Sequence, residues 1–329
     1  MNKKFICAAL AALITAQGAA ALASNIPGHQ GTGLENFELG TKKLAPAVRK
    51  YDNIFEEAGN QYGINPNILA SVCMQESAGV NYSHRADGTP YPAWGIMQIE
   101  YTHEKPFAEF GLDTTGEKWT LQDRLDPEKA IPYAAYLLSE SLYKYNDDYV
   151  KMIQAYNFSD VVLDRIIKAV GNAWLDERIN AASYADNWKY SSYGDPLYAE
   201  HVLAYFTNSL DYKGARVRLN NELIKFSDQH PIIENGTTLV PIRAISESLD
   251  ADVDWDGESY TVTIDKDGVI ISLKIGSDTG YVDGGPYELN MPAEIYNGRT
   301  MVPLRVAAES LGFEVDWDGE TRTVYIDEL

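Results

Sequence analysis

Glu76 is the residue of this chain whose position is best suited to acid–base chemistry. A helix predicted to open at Asn65-Pro66 carries one apolar stripe, formed by Leu69, Val72, Cys73 and, near the helix end, Glu76. Loss of water raises the pKa of a carboxyl group, and such a group can protonate a glycosidic oxygen near neutral pH. Spacing alone favours a plainer alternative, in which Glu76 reaches solvent past the helix end or pairs with Arg85.

The elements around Glu76 are predicted to be helical. From Val48 to about Thr207, apolar residues recur at spacings of three and four, while residues 79–95 are rich in Gly, Asn, Pro and Asp and are predicted to form a loop. Past Asp211 the pattern changes to short alternating strands. We therefore expect two domains of different class.

Three short segments resemble, in order and spacing, signatures of the lytic transglycosylase and goose-type lysozyme family. They are Glu76-Ser77, Gly95-Ile96-Met97-Gln98-Ile99 and Ala155-Tyr156-Asn157, and segments 62–66 and 193–203 are also similar to that family. The resemblance covers residues 49–207 and implies a lysozyme-like, mainly α domain. One departure concerns the turn after Asn157, where the family often has a glycine and this chain has Phe158-Ser159.

The resemblance also implies an activity, namely cleavage of the β-1,4 bond between N-acetylmuramic acid and N-acetylglucosamine in peptidoglycan glycan strands. Glu76 would act as acid and then as base. The implied substrate-binding residues are Ser77, the Met97 backbone, Gln98, Tyr156 near the carboxylate, and Asn157 in support. Tyr156 as a core tyrosine and Met97 as a packing residue are the plainer readings, and both roles can hold together.

A second carboxylate would decide the reaction type. A hydrolase usually places one about 5 to 9 Å from the first, whereas a lytic transglycosylase needs none because the muramic acid 6-hydroxyl attacks. Asp87 is the best placed candidate, followed by Glu100 and Glu104, but an aspartate before glycine is more typical of a turn. We favour the single-glutamate transglycosylase over a muramidase-type hydrolase or a non-catalytic glycan-binding protein.

The C-terminal region contains an internal repeat. Residues 235–264 align with residues 297–326 at an offset of 62, with 18 of 30 positions identical. Two copies predict one α+β module with pseudo-twofold character. The repeat resembles the stalk domain named after the N-terminal region of copper amine oxidases, over residues 217–329, and we expect a spacer or a wall- or partner-binding role. The name does not imply copper, since His230 is the module's only histidine.

Paired residues of the repeat have two possible roles. Trp255 and Trp317 could stack on sugars, although a structural role is favoured, and Arg243 and Arg305 are expected to pair with carboxylates. The Asp-Gly segments after the tryptophans are predicted to form hairpin turns rather than calcium loops.

Composition, charge and the N-terminal segment restrict the possible partners, cofactors and location of the protein. The 329 residues carry a net charge of −21, of which residues 217–329 contribute 8 basic and 22 acidic residues, or −14, which argues against nucleic acid as a partner. The histidines lack metal-ligand spacing, and no cofactor or metal is expected.

Residues 1–23 have the Lys3-Lys4, apolar and Ala-Leu-Ala pattern of a secretory signal peptide. We therefore expect a secreted, cell-wall-associated protein without a stable membrane anchor, of the kind found in Gram-positive bacteria.

The predicted organisation is multidomain. It comprises a signal peptide (1–23), a linker (24–48), a lysozyme-like transglycosylase domain (49–208), a second linker (209–216) and the repeated stalk module (217–329).

Overall fold

The computed structural model describes residue 37 and residues 39–111, 118–177 and 194–329. The predicted signal peptide and most of the first predicted linker lie outside these residues. Residue contacts divide the chain into two compact units, one ending at Asp211 and one starting at Tyr212, with residues 59–65 grouped with the second.

The first unit is mainly helical, as predicted. Its helices are α1 (Pro46–Arg49), α2 (Asp52–Tyr62), α3 (Pro66–Ser77), α4 (Glu104–Phe110), α5 (Pro127–Lys144), α6 (Tyr149–Phe158), α7 (Asp160–Val170), α8 (Trp174–Glu177) and α9 (Tyr198–Leu203). A two-stranded antiparallel sheet joins β1 (Ala93–Trp94) to β2 (Ile99–Glu100). Helices α5 and α6 begin at side-chain caps, since the Asp126 carboxylate accepts from the Glu128 amide and Asp148 from the Lys151 amide.

Helix α3 is the central element of this unit. Every residue from Pro66 to Cys73 is buried, so the predicted single stripe was too narrow: other parts of the chain cover this helix on all sides. The polar member Asn67 is satisfied, because its amide donates to the Leu210 carbonyl and accepts from the Ser209 and Leu210 amides. A helix held in this way fixes the position of whatever lies at its C-terminal end.

The second unit is built from strands and two short helices. Its elements are β3 (Arg216–Leu219), β4 (Glu222–Leu223), β5 (Ile232–Glu234), β6 (Thr237–Pro241), α10 (Ile242–Ser248), β7 (Asp252–Asp256), β8 (Thr261–Lys266), β9 (Val269–Lys274), β10 (Thr279–Val282), β11 (Gly285–Glu288), β12 (Glu294–Tyr296), β13 (Arg299–Pro303), α11 (Leu304–Glu309), β14 (Phe313–Asp318) and β15 (Thr323–Glu328). They form three sheets with strand orders β11-β10-β9-β8-β7, β12-β13-β6-β5 and β14-β15-β3-β4.

The register of the middle sheet shows the predicted pseudo-twofold relation. Val240 of β6 pairs with Val302 of β13, and these two residues are equivalents at the offset of 62. On either side of that pair Met301 pairs with Pro241 and Pro303 pairs with Leu239. These two pairings are equivalent under the pseudo-twofold relation. Two copies of one sequence therefore meet at their own equivalent strands, and Val240 and Val302 are fully buried there.

The Asp-Gly segments form hairpin turns, as predicted. The Asp256 carboxylate accepts from the Glu258 amide at 2.9 Å, and Asp318 accepts from the Glu320 amide at the same distance. Hydrogen bonds within the turn lower the pKa of both carboxyls. These carboxylate oxygens are thus used to close turns.

Within the described ranges, no helix is both long enough and apolar enough to cross a lipid bilayer.

Candidate active site

Glu76 lies at the penultimate position of α3, with its side chain partly enclosed by protein. Burial is the largest influence on this carboxyl and raises its pKa from 4.5 to about 7, helped by the negative charges of Glu100 and Asp195. A carboxyl group with that pKa is largely protonated just below neutral pH and can donate its proton. Arg85 does not pair with it, since the Arg85 guanidinium contacts Thr89 and Pro90 and lies over the Tyr91 ring.

Tyr198, at the start of α9, donates a hydrogen bond from its hydroxyl to Oε1 of Glu76. This bond favours the charged carboxylate and opposes the effect of burial on the Glu76 pKa. The phenol itself is buried beside a negative charge, which raises the pKa of Tyr198 well above its usual value. Tyr198 is therefore a permanent donor that orients the carboxyl group and leaves its other oxygen for substrate.

Tyr156 of α6 is the second tyrosine close to Glu76. Its hydroxyl donates to the Met97 carbonyl at 2.8 Å, and the charge of Glu76 contributes to its raised pKa. Tyr156 therefore lies within reach of the Glu76 charge, and its role in substrate binding stays a prediction. Its hydroxyl, however, holds the backbone of the Met97 segment, and the Met97 side chain is fully buried, in line with a packing role.

The segment around Met97 has a backbone shape that only a glycine permits at one point. Gly95 has φ +80°, and a Cβ there would lie 2.0 Å from the Arg124 carbonyl oxygen. Gln98 has φ +49°, and its side-chain amide donates to the Gly95 carbonyl at 2.6 Å. This hydrogen bond closes the turn. Ser77 ties this turn to the end of α3, since its buried hydroxyl donates to the Ile96 carbonyl at 2.8 Å and accepts from the Gly79 amide.

Asn157 and Gln154 of α6 hold the segment that leads to Tyr198. The Asn157 amide oxygen accepts from the Asp195 backbone amide at 2.6 Å, and Gln154 donates to the Asp195 carbonyl at 2.9 Å. Asp195 in turn accepts from the Leu197 amide and from the His201 ring. Asn157 thus supports the Tyr198 segment, and its role in a substrate site stays a prediction of the resemblance.

The turn after α6 does not need the family's glycine. Ser159 adopts φ 62°, a conformation that glycine usually supplies, and Asp160 begins α7 directly after it. The serine therefore makes this turn at some cost in backbone strain.

The three candidates for a second catalytic carboxylate differ in their surroundings. Asp87 is exposed and accepts from both the amide and the hydroxyl of Thr89, which lowers its pKa and makes it the turn former of the plainer reading. Glu100, at the end of β2, is exposed and acts on Glu76 through its charge, as does Asp195. The side chain of Glu104 lies outside the described part of the chain.

Two site residues, Tyr198 and Asp195, were not assigned from the sequence. Both lie in the segment 193–203, whose similarity to the family was visible, but neither belongs to a short signature next to Glu76. The signal that could have identified Tyr198 is a tyrosine opening a short helix within that similar segment.

Comparison with known families defines the two domains. Residues 53–177 match the transglycosylase SLT domain, and residues 218–326 match the copper amine oxidase N-terminal domain. The chain therefore contains a helical SLT domain followed by a β-rich domain of the second family, which confirms both resemblances seen in the sequence. Copper does not fit the second domain, where the single histidine, His230, is buried and its pKa is lowered by burial.

Individual relatives match one part of the chain at a time. The bifunctional muramidase/DL-endopeptidase CwlT of Bacillus subtilis (strain 168) is 26% identical over 177 residues, 52% of this chain and 45% of that protein. A protease inhibitor of Brevibacillus choshinensis is 31% identical over 119 residues, 35% of each chain, and a primary amine oxidase of Klebsiella aerogenes is 30% identical over 76 residues, 22% of this chain and 10% of that protein. The match spans less than half the length of each of these relatives.

Proposed function

We propose that this protein is a peptidoglycan-cleaving, lysozyme-like enzyme that acts on the β-1,4 bond between N-acetylmuramic acid and N-acetylglucosamine. The observation that carries the proposal is the Glu76 carboxyl, raised to a pKa of about 7 at the end of a buried helix. The SLT domain match at residues 53–177 and the muramidase relative support the same substrate.

The chemistry assigns Glu76 two successive roles. The protonated carboxyl donates its proton to the glycosidic oxygen as the bond from that oxygen to the muramic acid C1 breaks, and the carboxylate that remains is stabilised by the Tyr198 hydroxyl. The carboxylate then removes the proton of the muramic acid 6-hydroxyl as that oxygen bonds to C1. The product carries a 1,6-anhydro ring, and Glu76 ends in its protonated form. Gln98 and the Met97 backbone would line the sugar groove, with Ser77 and Asn157 holding the walls of the site.

We favour this transglycosylase reaction because the best placed sequence candidate for a second catalytic carboxylate, Asp87, is bound within its own turn. Hydrolysis is the second candidate, and one observation favours it: Glu100 is exposed and its charge acts on Glu76. In that reaction Glu100 would position a water molecule, and the product would be a reducing end.

The site of action in this proposal is the cell wall. The pattern of residues 1–23 supports secretion, and the acidic second domain supports a role outside the membrane as a spacer or binding module.

Digestion of purified peptidoglycan, followed by mass spectrometry of the released fragments, tests the proposal. Wild-type protein is expected to release anhydromuropeptides, and Glu76→Gln to release none above background. Asp87→Asn is the matched control, since it changes an exposed carboxylate in a turn. Reducing-end products would replace the transglycosylase with the hydrolase, and release that does not depend on Glu76 would overturn both.

A further inference from the structure

The second domain contains two grooves that are equivalent under its internal repeat. Groove A is lined by Arg243, Val253, Trp255 and Val262 of the first copy, with Gly298 and Arg299 from the β12–β13 hairpin of the second. Groove B is lined by Arg305, Val315, Trp317 and Val324 of the second copy, with Gly236 and Thr237 from the β5–β6 hairpin of the first. Each position in one groove is the other's equivalent at the offset of 62.

The tryptophans of the two grooves are exposed, which a packing role does not explain. Trp255 is 40% exposed and Trp317 is 44% exposed, although each pairs across its strand with a buried valine, Val262 or Val324. The indole nitrogens lie over the glycines of the adjoining turns, at 3.6 Å and 3.4 Å from where a Cβ would be. Large aromatic surface left open in the same place in both copies is typical of a binding surface.

The groove volumes fit a small ring-shaped ligand or part of a polymer. They are about 500 Å³ for groove A and about 360 Å³ for groove B, within the usual range of small-molecule sites. Both grooves combine an aromatic face and apolar side chains with several polar side chains, which suits a ligand that is polar at its edges and apolar on one face. A pyranose ring has this character.

The charges of the domain and of the grooves restrict the chemical class of the ligand further. The domain carries a net charge of −14, which repels anionic polymers. Groove A is lined by two arginines and two carboxylates, Asp228 and Glu247, and groove B by Arg305 and Glu288, so neither groove has a net charge that selects a charged ligand. Arg243 is exposed and has no hydrogen-bond or ion-pair partner among the described residues, so its guanidinium is available to oxygen atoms of a ligand. Arg305 is instead paired with Glu309 at 2.6 Å and donates to the Val315 carbonyl.

We propose that grooves A and B are twin binding sites for a neutral glycan, with one pyranose ring stacked on each tryptophan. Arg243 hydrogen-bonds the sugar in groove A, and groove A binds more tightly than groove B because Arg305 must first leave Glu309. The proposal does not depend on Glu76, since the grooves lie wholly within the second domain.

Titration of the full chain with chitotetraose, a neutral β-1,4-linked N-acetylglucosamine tetramer, tests the proposal. Glu76→Gln is used as the parent protein so that no sugar is cut, and binding is followed by calorimetry and by the indole N–H signals in nuclear magnetic resonance. Trp255→Ala and Trp317→Ala are each expected to remove one binding site, and the double variant two. Trp255→Phe keeps an aromatic face and is expected to restore the groove A site with an affinity within about tenfold of the parent.

Two matched controls keep the result interpretable. Tyr281→Ala removes an aromatic side chain that is 48% exposed outside both grooves, and it is expected to leave the number of sites unchanged. Arg243→Gln is expected to weaken groove A by about tenfold, with a smaller effect of Arg305→Gln in groove B.

An unchanged number of sites in the double tryptophan variant overturns the proposal. Tryptophan-dependent binding of polylysine, without binding of chitotetraose, would also overturn it and would assign the grooves to a basic protein partner. Failure of the peptidoglycan digestion leaves this titration unaffected, so the two proposals can fail separately.

Discussion

The Glu76 site and the twin grooves differ in how far their main side chains are buried. The Glu76 site exists once, its carboxyl is partly shielded from water, and its groups come from α3, the Met97 turn, α6 and the Tyr198 segment. The grooves exist twice, and their main side chains remain exposed. Desolvation creates reactivity at Glu76, whereas exposure keeps a stacking face available in the grooves.

The two regions also differ in how they tolerate change. Groups at the Glu76 site are linked in a network, since Asn157 and Gln154 hold Asp195, and Tyr198 follows three residues later and contacts Glu76. A groove tryptophan is exposed, and we expect its loss to leave the sheet behind it intact. Substitutions should therefore separate catalysis from binding.

The largest expected effect is on the rate of cleavage. Glu76→Gln removes the only proton donor that the proposed reaction uses, and we expect a loss of about 10³-fold or more on a short, soluble peptidoglycan fragment. Trp255→Ala and Trp317→Ala are expected to change that rate by less than about twofold, because the short fragment needs only the Glu76 site. Release of labelled fragments, measured at pH 6.5, checks both.

This separation of roles would be contradicted if the tryptophan variants lost as much activity on the soluble fragment as Glu76→Gln. In that case the second domain would take part in the chemical step. A loss of activity in the tryptophan variants on insoluble peptidoglycan alone would instead support a first domain that cleaves the substrate and a second domain that binds it.

A second, smaller effect concerns stability. The folded-state pKa of Glu76 is raised to about 7 from an ordinary 4.5, so the folded protein binds an extra proton between these values. Stability therefore falls as the pH rises from about 4.5 to about 7, by up to about 3 kcal/mol from this group. Glu76→Gln removes that loss, and above pH 7 the variant is expected to be more stable than the wild type.

Urea unfolding of both proteins at pH 5 and pH 8 measures this difference. Glu57→Gln, an exposed glutamate on α2, is the matched control and is expected to unfold in parallel with the wild type. An equal change of stability with pH in wild type and Glu76→Gln would mean that the carboxyl keeps its water and its ordinary pKa.

Sequence reasoning was most successful where local signals and repetition agree. The offset of 62 predicted the pseudo-twofold module, and the register at Val240 and Val302 bears it out because equivalent strands pair with each other. The helical class of the first domain and the turn role of Asp256 follow from spacing and turn chemistry in the same way.

The parts that sequence could not supply depend on contacts between distant residues. Tyr198 lies 122 residues from Glu76, and neither spacing nor composition reports a hydrogen bond across that distance. Burial on all sides of α3 also exceeds what its stripe predicts, since it depends on how many elements pack around the helix. The exposure of Trp255 was missed because Trp255 lies two residues after Val253, and alternate residues of a strand share one face.

The smallest expected effects are opposite shifts of the pH profile at the Glu76 site. The Tyr198 hydroxyl lowers the Glu76 pKa and the Glu100 charge raises it. Activity falls as Glu76 loses its proton, so Tyr198→Phe is expected to move the alkaline limb of kcat/KM to higher pH, and Glu100→Gln to lower pH. Each shift should change the rate at a fixed pH near 8 by less than about tenfold.

Tyr145→Phe is the control for the tyrosine, since it removes a hydroxyl that donates to Asp164 instead of Glu76. Asp87→Asn is the control for the charge, because Asp87 does not act on Glu76. Limbs that stay in place in both test variants would show that neither group reaches Glu76 in solution. A collapse of activity in Glu100→Gln at every pH, rather than a shift, would make Glu100 the second carboxylate. The first domain would then be a hydrolase, whose site needs a positioned water and hence a less enclosed carboxylate beside the buried one.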